Sequence, residues 1–224
     1  MSVEINITNR QFPFFSEVER KLLEYQIVIN NGVFIYPTET FYALGCLATQ
    51  FDAVSLIYQL KKRSKSLPLL VLVSNWDMLN DYIEPLNDNW QNFLNNYWPG
   101  SLTVILPVKD KLAKNLNTKD NNLGFRIVPS EITKEIIDLC KVPLVGTSAN
   151  ITGKIEVEDT NSAKSVFDGQ VDLYINAGRK VGNKPSTIIK MIDKDTFKII
   201  RIGVIKFGDE KAGSELLIND FIKK

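Results

Sequence analysis

Short apolar runs of four or five residues recur along this chain: Val33–Tyr36, Leu69–Val73, Leu102–Leu106, Val142–Gly146 and Val171–Ile175. Each is cut off by a proline, a glycine or a cluster of small polar residues, and helix-patterned sequence lies between them. Runs of that length suit buried strands, and their alternation with helices excludes an all-helical bundle or a repeat array. Further strand-like segments fall at Gly124–Val128, Thr187–Ile192 and Phe197–Ile202, the last two close enough to pair antiparallel. The fold class expected is therefore α/β (or α+β), a mixed sheet with flanking helices.

Ser16 and Glu19 have the spacing of a capping box, followed by Val18, Leu22, Tyr25 and Ile29 at helical intervals. Asp52 can open a second helix bearing Leu56 and Leu60. Ser74 or Asn75 can cap a third, and Trp90–Tyr97 reads as a fourth that breaks at Trp98-Pro99-Gly100. Ser130–Cys140 and Ser162–Phe167 complete the helical set. One domain over residues 1–205 is the simplest division, with a short helical tail at 206–224.

Composition narrows the chemistry. The 224 residues include 27 basic and 26 acidic side chains, a net charge of +1, which provides no global field for gathering nucleic acid. No apolar run has the length of a membrane span, and the two cysteines, Cys46 and Cys140, lack metal-knuckle spacing. A cytoplasmic protein is expected, with the sequons at Asn6 and Asn150 unused. Histidine is absent, which excludes Ser-His and Cys-His nucleophiles and histidine-ligated zinc. Catalysis must then rest on positioned cations, hydroxyls, carboxylates, backbone amides or an added metal ion.

Three segments place small polar residues at strand ends: Tyr36–Gly45 (Y-P-T-E-T-F-Y-A-L-G), Thr147–Asn150 (T-S-A-N) and Pro185–Ile188 (P-S-T-I). Pro37 lacks a backbone donor and ends the first strand, so the loop after it either caps a following helix or carries binding groups. Lys61, Lys62, Arg63 and Lys65 close a helix, where they either complement its dipole or grip phosphate. Arg126 alternates with Phe125 and Ile127 and faces either solvent or a cleft. The stretch 178–186 lacks the glycine-lysine spacing of a phosphate-binding loop and runs into a strand, so that reading is rejected.

Taken in order, Y-P-T-E-T-F-Y-A-L-G at 36–45, K-K-R at 61–63, W-P-G-S-L-T at 98–103, F-R-I at 125–127, T-S-A-N, P-S-T-I and R-I-G at 201–203 resemble the YrdC-like threonylcarbamoyl-adenylate synthase family. The resemblance implies a YrdC/RibB-like open, twisted sheet around a large, positively lined cavity. It implies an enzyme that converts L-threonine, bicarbonate and ATP, with Mg²⁺, into threonylcarbamoyl-adenylate and pyrophosphate for modification of tRNA position 37. By the same resemblance Thr38, Thr40, Arg126 and Ser186 hold threonine. Lys61, Arg63, Ser148, Asn150 and Arg201 surround ATP, with Lys61 and Arg63 catalytic and no dedicated metal-ligand set. The partners expected beyond these substrates are tRNA or tRNA-modification proteins. The alternative is a paralogue that binds double-stranded RNA or tRNA without synthesis. The chain departs from the family pattern at Ala43, Leu67, Leu72 and Ser101, positions more often glycine, asparagine, histidine and proline.

Overall fold

A computed structural model describes residues 2–65, 67–109, 112, 116, 120–180 and 184–222. Residues 181–183 of the rejected phosphate-loop stretch, and 223–224 of the tail, lie outside the described residues. The expected α/β class is observed, built from two mixed sheets. The first contains β1 (Val3–Asn6), β2 (Phe34–Pro37), β3 (Tyr42–Gly45), β8 (Thr147–Ser148) and β9 (Leu173–Asn176), in the order β1-β9-β2-β3-β8.

The second sheet has the order β12-β11-β10-β5-β6-β4-β7. Its strands are β4 (Leu70–Val73), β5 (Leu102–Pro107), β6 (Asn122–Ile127), β7 (Leu144–Val145), β10 (Thr187–Met191), β11 (Thr196–Arg201) and β12 (Glu215–Leu217). Helices α1 (Glu17–Leu23), α2 (Phe51–Leu60), α3 (Trp76–Asn80), α4 (Asp88–Asn95), α5 (Glu131–Cys140) and α6 (Thr160–Phe167) flank the sheets. No helix among the described residues is long and apolar enough to cross a membrane.

Strand alternation explains how one face of the second sheet becomes a cavity wall. Parallel pairing sets Leu72 opposite Arg126, while antiparallel pairing sets Ile105 opposite Gly124. Period-two geometry then sends Thr103, Ile105, Gly124, Arg126, Ser186 and Ile188 to one side. Val104, Phe125, Ile127 and Ile189 go to the other, where they join the larger hydrophobic cluster. Both readings of Arg126 from sequence are thereby resolved in favour of the cleft.

Three local expectations are corrected. The capping box at Ser16 forms as read, but Val18, Tyr25 and Ile29 are exposed; Leu23 and Ile27 are buried instead. After Leu23 the helix widens into a π-helical stretch, Glu24–Ile29, and the inward stripe follows the neighbours it meets. The loop after Pro37 caps no helix: it turns back into β3, with Pro37 opposite Tyr42, and α2 starts only at Phe51 after Gln50. The tail is not a helix throughout: Glu215–Leu217 is a strand paired with β11, and only Ile218–Phe221 after it is helical, as a 3-10 helix. Aromatic packing of Phe207 and Phe221 against Phe93 and Phe197 supplies the reason.

Candidate functional site

The two sheets meet around a cavity of about 230 Å³. The first sheet supplies the loop 38–41 and β8; the second supplies β4, β5, β6, β10 and the end of β11. Thr38, Thr40, Arg63, Arg126, Ser148, Ser186 and Arg201, far apart in sequence, all border this space. Lys61 and Asn150 do not; they lie behind its wall.

The 38–41 loop is tied internally. The Thr38 hydroxyl donates to the Phe41 carbonyl at 2.6 Å and accepts from the Thr40 backbone N–H at 3.2 Å. Its single proton being used, the 3.1 Å contact between the two threonine hydroxyls has Thr40 as donor. Thr133 of α5 donates to the Pro37 carbonyl and fixes the loop from outside. Gly45, at the far end of β3, permits close packing, because a Cβ there would lie 2.3 Å from the Val145 carbonyl oxygen.

Between the two threonines, Glu39 faces Arg126, with an Oε1–Nη1 separation of 3.0 Å. Arg126 is only 4% exposed, and its Nε–H is buried without a hydrogen-bond partner among the described residues. A buried guanidinium that keeps unspent donor capacity beside a cavity is suited to an anionic ligand.

On the opposite side, Arg201 donates to the Ser186 carbonyl through Nε and Nη2 and to the Ser186 hydroxyl through Nη2. Ser186 also meets the Thr103 hydroxyl at 3.0 Å. Thr187, which points away from the cavity, accepts from the backbone N–H of Gly203 and Ile205 and donates to the Ile205 carbonyl. That staple folds the R-I-G turn back over P-S-T. Gly203 is required there, since a Cβ would approach the Pro185 carbonyl oxygen to 2.1 Å. Burial lowers the Arg201 pKa, and the nearby charge of Arg126 acts in the same direction.

Arg63 completes the cationic lining and is held by Leu67 and Pro68 carbonyls at 3.1 Å each. Burial lowers its pKa also. These contacts use backbone acceptors, so the side chain at Leu67, where asparagine is more usual, does not alter them.

Lys61 has another position. It is 1% exposed, and Nζ donates to the Ser148 carbonyl, the Asn150 carbonyl and Asn150 Oδ1 at 2.5, 2.8 and 3.1 Å. Three acceptors match the three N–H groups of an ammonium. Burial pulls the pKa down to about 7, helped by Arg63 and opposed by Glu156. Asn150 is also engaged at both ends: Oδ1 also accepts from Ser148 Oγ, and Nδ2 donates to the Lys154 carbonyl. Lys61 and Asn150 thus lock the T-S-A-N segment to the end of α2, and present Ser148 to the cavity.

Sequence reasoning missed Glu156, which also lines the cavity, the partly buried Glu39 and the buried Thr187. Glu39 and Thr187 sit inside the quoted motifs, and their polarity amid buried neighbours was the available signal. For Glu156 no local pattern marks the residue.

A family model named for Sua5, YciO and YrdC, and described as telomere recombination, matches residues 26–203. The threonylcarbamoyl-AMP synthase of Bacillus subtilis (strain 168) is 29% identical over 164 residues, which make up 73% of this chain and 47% of that protein. The chain spans about half the length of that curated relative. The crystal structure of E. coli YciO is 25% identical, with a TM-score of 0.77 over 91% of this chain and 97% of that one. P. abyssi Sua5 complexed with L-threonine matches with a TM-score of 0.80 at 24% identity, over 90% of this chain and 58% of that one. The last likeness is one of fold.

Proposed function

We propose that this chain, which belongs to the Sua5/YciO/YrdC family, is an L-threonylcarbamoyl-adenylate synthase that acts on L-threonine, bicarbonate and ATP. The observation that carries the reading is the convergence of Arg63, Arg126 and Arg201 with the hydroxyls of Thr40, Ser148 and Ser186 on one cavity. The synthase activity of the Bacillus subtilis relative supports it.

In this reading Arg126 receives the threonine carboxylate, and Thr38, Thr40 and Ser186 line the amino-acid end. Arg63 and Arg201 face the phosphates of ATP, with Ser148 presented between them. Lys61 and Asn150 serve this end by holding Ser148 in place, and the Lys61 charge adds to the positive potential.

The amine of threonine and bicarbonate give a carbamate and water. A carbamate oxygen then attacks the α-phosphorus, a new O–P bond forms, and the bond to the bridging oxygen of the β-phosphate breaks. Pyrophosphate leaves with that electron pair. The nucleophile is already anionic, so no histidine base is needed, and the work of the protein is alignment and charge neutralisation. Among the described residues the cavity carries one carboxylate, Glu156, and no group of three metal-ligand side chains occurs. That donor set fits a cation bound mainly through phosphate oxygens and water, as Mg²⁺ prefers. Bound there, Mg²⁺ would supply charge neutralisation at the phosphates. The product would feed threonylcarbamoylation of tRNA at position 37, and tRNA or tRNA-modification proteins would be the partners.

The test is pyrophosphate release by purified protein supplied with ATP, Mg²⁺ and bicarbonate, with and without threonine. Threonine-dependent release and a threonylcarbamoyl-adenylate product are expected. Salt-sensitive tRNA binding without threonine-dependent turnover would instead identify a non-synthetic RNA binder.

A further inference from the structure

Among the described residues that line the cavity, Glu156 is the one carboxylate, in a wall that otherwise carries Arg63, Arg126 and Arg201. It belongs to the segment between β8 and α6, whose neighbouring acidic residues both have structural partners. Glu158 pairs with Arg179 at 2.8 Å, and Asp159 caps α6 by accepting from the Ser162 backbone N–H. Glu156 makes no hydrogen bond or ion pair with the described residues. The backbone beside it is nonetheless anchored. The Val157 carbonyl accepts from Tyr42, the Glu158 carbonyl accepts from Lys180, and the Val157 side chain is buried. Glu156 is therefore held at the cavity without a structural partner among the described residues.

Glu156 lines the same cavity as Arg63 and Arg201, the two cations read as facing phosphate, and its charge also bears on Arg201 and on Lys61 behind the wall. A carboxylate there opposes the phosphates of a nucleotide unless a cation lies between them. We propose that Glu156 couples nucleotide binding to a divalent cation, supplying one carboxylate ligand to the cation carried on the phosphates and repelling the phosphates when the cation is absent. This rests on the reading that the cavity takes ATP. One carboxylate together with phosphate oxygens and water is a sufficient set for Mg²⁺.

The experiment is calorimetric titration of wild type and Glu156→Gln with ATP, in Mg²⁺ and in EDTA, without threonine. The ratio of the two dissociation constants, EDTA over Mg²⁺, is expected to be about tenfold smaller in the variant. The variant is also expected to bind cation-free ATP more tightly than wild type. An unchanged ratio would overturn the proposal, as would equal tightening in both buffers, which would mean repulsion without coordination. Wild type that binds no ATP in Mg²⁺ would sink the synthase reading along with it, so the two failures are distinguishable. Glu156→Ser provides a second neutral variant, and equal thermal midpoints establish that the proteins compared are folded.

Discussion

Arg126 is almost wholly enclosed by the protein and Glu39 largely so, and each carries the charge that the other needs. Removing one partner of such a pair leaves an uncompensated buried charge, which costs about 3–5 kcal/mol. Glu39→Ala is expected to lose stability on that scale in urea denaturation. Arg126→Ala should abolish threonine binding while ATP binding survives, as read by titration with each substrate alone. Equal loss of both ligands would remove Arg126 from the amino-acid end. At Lys61 the sequence shows a cation in a cluster, and cations in clusters are ordinarily solvated. Its burial depends on three oxygens from residues 148 and 150, in β8 and just after it, 87 and 89 positions away. Lys61→Met keeps much of the volume but orphans those acceptors. The expected result is a lower thermal midpoint together with reduced turnover, through displacement of Ser148.

Elements are decided by shorter-range physics, and here the sequence is a good guide. The Ser16–Glu19 capping box is observed because both halves lie within one helical turn. Glu19 is held down to about 2 by its bond to Arg10, with Ser16 adding to the effect. A carboxylate with a folded value below its unfolded one stabilises above the unfolded value and loses that contribution as pH falls. Acid unfolding of wild type should therefore show a loss between about pH 4.5 and 2 that is reduced in Glu19→Gln, as followed by circular dichroism. The Tyr36–Gly45 segment was harder to read, because a hairpin needs a partner strand as well as a turn. Pro37 correctly ends the first strand, but only pairing with Tyr42 shows that the chain doubles back. Thr187 makes a similar point in the P-S-T segment. Thr187→Val removes an acceptor for two backbone N–H groups, at a cost of about 1–3 kcal/mol. Disturbing the turn that carries Arg201 should raise the KM for ATP more than that for threonine.

Across the whole molecule, the tail and the cavity depend on contacts between distant segments. Phe207 packs with Phe93, Tyr97, Phe197 and Phe221, and so joins α4, β11 and the C-terminal 3-10 turn. Phe207→Ala is expected to cost about 3–5 kcal/mol by leaving a void in that cluster, measurable by denaturant titration. Periodicity along the chain determined the α/β class, the main strands and helices, and the types of residue available for chemistry, because those follow from backbone geometry over a few positions. The order of the short motifs was enough to suggest the family. Which face of a strand or helix turns inward was left to the assembled sheets. They buried Leu23 and Ile27 in place of Val18 and Tyr25, turned Arg126 towards the cavity, and set Lys61 and Asn150 behind its wall. They also brought Glu156 to the arginines, a placement fixed by the anchoring of residues 157 and 158 to other segments. Side-chain direction is local, but burial and charge environment depend on what packs opposite, and only the tertiary structure supplies that.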